Sequence, residues 1–182
     1  EISSTVSLGY FINNRIANQN SFLNSIGIGK AAQTMIRRAA IEQCFIEFCE
    51  KNSLKFQEVG KVLTAKHIEF EINEMIFSIN RVQKINGMPK KCKHRDNLNQ
   101  LNFLFETDEL IQIPNKIYAN IVHTGNLLIP SYVGIGIPDN KGTTWLHVEK
   151  LNIKNPVISA PIEEIINNIE IRLKKKEDYV NK

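Results

Sequence analysis

Residues 67–81 read HIEFEINEMIFSINR, and the alternation in this stretch decides the fold. Apolar and polar side chains alternate along 67–72 and, apart from Ile76, along 75–80, the pattern of strands with one buried face. A two-residue turn at Asn73-Glu74 sets Ile72 opposite Met75, Phe70 opposite Phe77 and Ile68 opposite Ile79. All three pairs are apolar and share a face, whereas a slip by one residue would mix the faces. The other face then carries His67 beside Asn80, Glu69 beside Ser78 and Glu71 beside Ile76.

Upstream, residues 30–52 follow a helical period. Gln33, Arg37, Gln43, Glu47, Glu50 and Lys51 trace a polar side, and Met35, Ile36, Ala39, Ala40, Phe45, Phe48 and Cys49 the buried one. Before it, 1–29 mixes Val6, Leu8, Tyr10, Phe11 and Ile12 with amide-rich interruptions, and is open to being a flexible or loosely packed N-terminal arm. The SIGIGK run at 25–30 lacks the spacing of a phosphate loop.

Downstream, Gly87 and Pro89 take the chain out of the sheet as an irregular basic segment. The run 101–114 is expected to close onto the core through Leu101, Phe103, Leu104 and Phe105. Strand-like runs follow at 116–123, 131–138 and 143–151, the last two joined by Asp139-Asn140-Lys141-Gly142 with its glycine at a position suited to positive φ. Pro114 and Pro130 sit where strands begin. Pro161 opens a closing amphipathic helix with the stripe Ile162, Ile165, Ile166, Ile169 and Leu173. Glu163 and Glu164 suit its positive end, Arg172 and Lys174–Lys176 its negative end, and 174–182 is expected to fray. The sum is one α+β domain over 1–182: N-terminal helices, a largely antiparallel sheet built from hairpins, and a C-terminal amphipathic helix packed on that sheet.

With 182 residues, 42% hydrophobic and 23% charged, the chain has globular composition and enough length for a real core. No apolar run is long enough for a transmembrane helix, so no membrane partner is expected, and the opening residues do not read as a signal peptide. Cys44, Cys49 and Cys92 have no metal-type spacing and fit a reducing, cytoplasmic setting. The abundance of Asn, Ile and Lys fits an AT-rich bacterial or phage genome.

The net charge of +4 is concentrated. Arg81, Lys84, Lys90, Lys91, Lys93 and Arg95 stand against Asp96 alone between 80 and 100, a local +5 that leaves the remainder at −1. A basic patch on a neutral body is the footprint of a polyanion partner. The leading expectation is therefore a nucleic-acid-binding protein of bacterial or phage type, its DNA or RNA phosphates held by those six cations, with no cofactor.

Two catalytic arrangements compete with it. Carboxylates beside a basic patch suit a metal-dependent nuclease. Glu42 on the helix, followed by Glu71 on the first hairpin strand, resembles the restriction-endonuclease-like core. In that family a Glu-bearing helix precedes a hairpin with an acidic residue on one strand and an ExK triplet on the next. The triplet position here reads Ser78-Ile79-Asn80. The resemblance implies a divergent nuclease using Mg²⁺ with Glu42, Glu69 and Glu71. A second arrangement, His94, His123 and His147 with Lys116, Tyr118, Thr143 and Thr144, would suit metal-independent RNA cleavage. Alternation gives His123 a partly buried face. Cys92 among Lys90, Lys91, Lys93 and His94 has the setting of a lowered thiol pKa. Trp145 and Tyr132 suit either the core or stacking on bases. A third class is a protein-interaction module of the inhibitor or immunity type, whose basic loop docks on an acidic partner.

Overall fold

The computed structural model describes residues 1–24, 27–60, 66–105, 116–126, 128–156 and 161–177, without the side chains of 104, 105 and 170–177. Among the described residues, four α-helices accompany a six-stranded mixed sheet. The helices are α1 (Ile2–Gln19), α2 (Ile28–Lys51), α3 (Lys93–Asn99) and α4 (Ile162–Glu177). The strands are β1 (Phe56–Val59), β2 (His67–Ile72), β3 (Met75–Arg81), β4 (Ile117–Gly125), β5 (Pro130–Pro138) and β6 (Trp145–Lys150), adjacent in the sheet in chain order.

The hairpin takes the expected register, with Ile72 opposite Met75, Phe70 opposite Phe77, Glu71 opposite Ile76 and Glu69 opposite Ser78. Asn73 supplies the turn at φ 54°, a left-handed conformation that asparagine tolerates. All strand pairings are antiparallel except β3–β4, which is parallel and therefore needs a long crossover. In the β5–β6 turn, Gly142 does adopt positive φ, at 64°. Asp139 closes that turn by accepting from the Thr143 and Thr144 backbone N–H groups at 2.6 and 3.1 Å.

One sheet face carries the apolar core. Ile68, Phe70, Phe77, Ala119, Ile121 and Val133 pack against Val6 and Tyr10 of α1 and Ile41, Phe45 and Cys49 of α2. Phe45, Phe70 and Phe77 form a continuous stack, with centroids 5.4 and 5.5 Å apart. The N-terminal segment, open in sequence to being a flexible or loosely packed arm, is helical over most of its described length, and Val6, Tyr10 and Ile12 are fully buried. Its period was obscured by buried Ser3, Ser4, Ser7 and Asn13; Ser3 and Ser4 give their hydroxyls to backbone carbonyls. Gly9 permits the close crossing of α1 on α2, since a Cβ there would sit 2.5 Å from the Ile41 side chain.

The faces expected for α2 are also revised. Gln33, Arg37 and Gln43, read as polar surface, are buried, while Met35 is exposed. This helix is enclosed on several sides, by the sheet, α1 and α4, so no single stripe describes it. The stripe of α4 packs on α1 and α2 through Leu8, Ile12, Ala39, Ala40 and Cys44, one layer removed from the strands on which it was expected to rest. Expectations for Pro114, for 106–113, for the side chains of Leu104, Phe105, Arg172, Leu173 and Lys174–Lys176, and for 178–182 lie outside what is described.

Candidate metal centre and basic cap

The second sheet face is polar yet covered. Across the strands, Glu69, Ser78, Asn120 and Gly136 stand in one row of the register. Glu69, Ser78 and Asn120 are each at most 4% exposed. The cover is the described part of the β3–β4 crossover, residues 82–105, which contains the basic segment. That segment is partly regular: α3 begins at Lys93, a departure from the irregular loop expected there.

Several contacts hold this cap down. The turn at Asn86, at φ 55°, accepts from Tyr132 OH on its side chain and from the Trp145 indole N–H on its backbone carbonyl, both at 3.0 Å. Tyr132 and Trp145 thus serve packing and anchorage of the loop. Arg95 donates to Asn80 Oδ1 at 2.7 Å and to the Lys90 carbonyl. The Asn80 amide in turn donates to Ser78 Oγ at 2.8 Å and Asn120 Oδ1 at 2.7 Å. Tyr118 OH completes the network at 2.6 Å from Ser78 Oγ and 3.0 Å from Asn120 Oδ1, and burial pushes its phenol up to about 12. Farther along, Asn102 accepts from Tyr118 N–H and donates to the carbonyls of Tyr118 and Pro138, each at 2.9 Å. A buried network of this kind is tolerable because its members satisfy one another.

Beside the network lies the one cluster of metal-ligating type among the described residues: His67, Glu69 and His94. The two-residue spacing on β2 puts His67 and Glu69 on one face. His94, from the first turn of α3, is brought over them by the fold of the cap. His67 Nε2 lies 3.3 Å from Glu69 Oε1, and His94 Nε2 is hydrogen-bonded to the same oxygen. The imidazole centroids are 4.5 Å apart at 64°. Gln57 on β1 donates to the other carboxylate oxygen at 3.3 Å. Burial by itself would raise the Glu69 carboxyl, but the hydrogen bonds from both imidazoles, the His94 charge and Gln57 outweigh it and hold the group below its usual range. The Glu69 side chain is 5% exposed and that of His94 32%, so the cluster is reached from the α3 side.

The carboxylates of the nuclease expectation do not assemble around Glu69. Glu42 belongs to α2, which packs on the opposite face of β2, and it accepts from Arg38 Nε at 2.9 Å. Glu71 shares the Glu69 face but pairs with Lys116. The three histidines of the RNA-cleavage arrangement are dispersed as well. His94 meets His67; His147 is exposed on edge strand β6; His123 is buried on the helix side, 3.0 Å from Tyr10 OH. Burial first, then the charges of Arg37 and Arg81, depress the His123 pKa to about 3. Cys92 is exposed, whereas Cys44 and Cys49 are buried with their thiols pushed up, mainly by burial.

Of the six basic residues, Lys84, Lys90, Lys91 and Lys93 are exposed on the cap, and Arg95 is half-buried as its anchor. Arg81, also exposed, ends β3 opposite His123, on the helix side of the sheet rather than on the cap. Sequence reasoning placed His67 and Glu69 on the polar face and His94 in the basic segment, and did not join them. The pairing depends on how the crossover folds back, which no local period reports.

No family model, no curated protein and no solved structure matches this chain. Its function is therefore argued from its own geometry. Among the described residues, no helix is long and apolar enough to cross a membrane.

Proposed function

We propose that this chain binds nucleic acid, DNA or RNA, through the basic cap formed by residues 81–95. One observation carries the reading: Lys84, Lys90, Lys91 and Lys93 are exposed on a segment whose Arg95 is tied to the sheet through Asn80. Cations on an anchored segment lose less freedom on meeting a phosphate backbone than cations on a loose tail. On this reading Arg95 positions the cap, the four lysines contact phosphates, and Arg81 flanks them at the end of the hairpin. The reading places the protein in the cytoplasm of a bacterial or phage-infected cell, where such a partner is at hand.

The test is fluorescence anisotropy with short single-stranded DNA, duplex DNA and RNA across a salt series. Binding is expected to weaken steeply with salt, the logarithmic slope losing about 0.7–0.9 per phosphate contact removed. Reversing Lys90, Lys91 and Lys93 to Glu should abolish most of the affinity and leave the circular dichroism unchanged. Equal binding by this triple variant would overturn the assignment. Tight binding to an acidic protein, with none to any nucleic acid, would move it to the interaction-module class.

Cleavage is a second reading, favoured by the position of His67, Glu69 and His94 under the same cap. Plasmid DNA and RNA incubated with Mg²⁺, Mn²⁺ or Zn²⁺, and again with EDTA, separate the two. Metal-dependent loss of intact substrate would support a nuclease; unchanged substrate in every condition leaves the binder.

A further inference from the structure

We infer that His67, Glu69 and His94 form a site for one divalent transition-metal ion, of the zinc class, that latches α3 to β2.

The donor set is the first argument. Two imidazole nitrogens and one carboxylate oxygen suit Zn²⁺, Co²⁺ or Fe²⁺, whereas Ca²⁺ and Mg²⁺ favour sites made of oxygen. Geometry is the second. The three donor atoms lie within 4.8 Å of one another, and His67 Nε2 is 3.3 Å from Glu69 Oε1. Ligands about 2.0–2.2 Å from a tetrahedral zinc stand roughly 3.3–3.5 Å apart, so the ion fits with small side-chain adjustments.

The surroundings supply the third argument. Both imidazoles present Nε2, the same ring nitrogen, to a single oxygen of a carboxylate that is itself buried. Gln57 steadies the other oxygen from β1, the kind of outer support that orients metal-ligating carboxylates. Next to His94, Arg95 is fixed to Asn80, so the α3 ligand is held in place from its neighbour. Three protein ligands leave a coordination position for water or another small ligand, on the α3 side where His94 is partly exposed. The inference stands independently of nucleic-acid binding, because none of its ligands is a cation of the basic cap.

The test uses the whole chain, stripped with EDTA and then titrated with Co²⁺ and Zn²⁺ in the absence of nucleic acid. Co²⁺ should bind at one equivalent with visible d–d bands of low-symmetry coordination, and Zn²⁺ should displace it. Glu69→Gln and His94→Ala should each weaken binding at least 100-fold, while Glu71→Gln, altering the next carboxylate on the same face, should bind as wild type. Zn²⁺ should also slow amide exchange across Lys93–Asn99, an effect absent from His94→Ala, whose altered side chain lies outside β2. The Lys90/Lys91/Lys93 reversal should keep full metal affinity, which separates this result from that of the polyanion test. No stoichiometric binding by the wild-type chain, or equal binding by Glu69→Gln and His94→Ala, would overturn the site.

Discussion

The guanidinium of Arg95 donates to Oδ1 of Asn80 at 2.7 Å, joining the third residue of α3 to the middle of the sheet. Through the Asn80 amide, this contact passes to Ser78 and Asn120. The basic cap and the buried polar row are therefore one hydrogen-bonded unit.

Asn80→Ala removes both donations and the acceptor of Arg95. The remaining buried polar groups lose partners, at a cost of about 1–3 kcal/mol. Urea denaturation should report that loss. Amide exchange should accelerate across 93–99 more than across β4, because α3 is the element released. Equal acceleration in both would show that Asn80 supports the sheet generally rather than the cap.

Stability should fall in acid on account of His123. Its pKa is about 3 in the fold against an ordinary value of 6.5, because burial and two arginines disfavour the charged ring. Below the ordinary value the unfolded chain takes up a proton that the folded chain refuses. The contribution is thus fully present above pH 6.5 and is lost progressively as pH falls toward 3, by up to ~1.4 kcal/mol per pH unit. The imidazole proton resonances of His123 should stay at their neutral positions down to pH 4 in the folded protein; a midpoint near 6 would contradict the burial argument.

Gly136→Ala places a Cβ 2.6 Å from the Trp145 ring. The indole must shift, which costs about 1–3 kcal/mol as overpacking and threatens its bond to the Asn86 carbonyl. Trp145 is the single tryptophan in the chain, so its fluorescence reads this site alone. A changed emission maximum is expected, with faster exchange of the Asn86 turn. An unshifted spectrum would mean that the strand, and not the ring, gives way.

Phe70→Ala breaks the Phe45–Phe70–Phe77 stack at its centre and should cost about 3–5 kcal/mol. Phe70→Leu retains much of the volume and should cost markedly less. Chemical denaturation of the pair checks that packing, and not the hairpin turn, sets the difference.

By itself the sequence determined the hairpin. Strand period two links burial to position so tightly that Phe70 opposite Phe77, and with it Glu69 opposite Ser78, follows from the pattern alone. It also showed the existence of α2, from its helical period, and the later strands and the stripe of α4, which bury one main face or end at a recognisable turn. Tertiary structure decided the rest. The serines of α1 disguised a core helix; enclosure of α2 drew Gln33, Arg37 and Gln43 inward; and the parallel β3–β4 pairing sent the crossover over the polar face. That last step placed His94 against Glu69, 25 residues away in sequence. Local periodicity reports what neighbours in the chain do together, whereas a site closed by a returning crossover depends on contacts that only the folded chain brings into range.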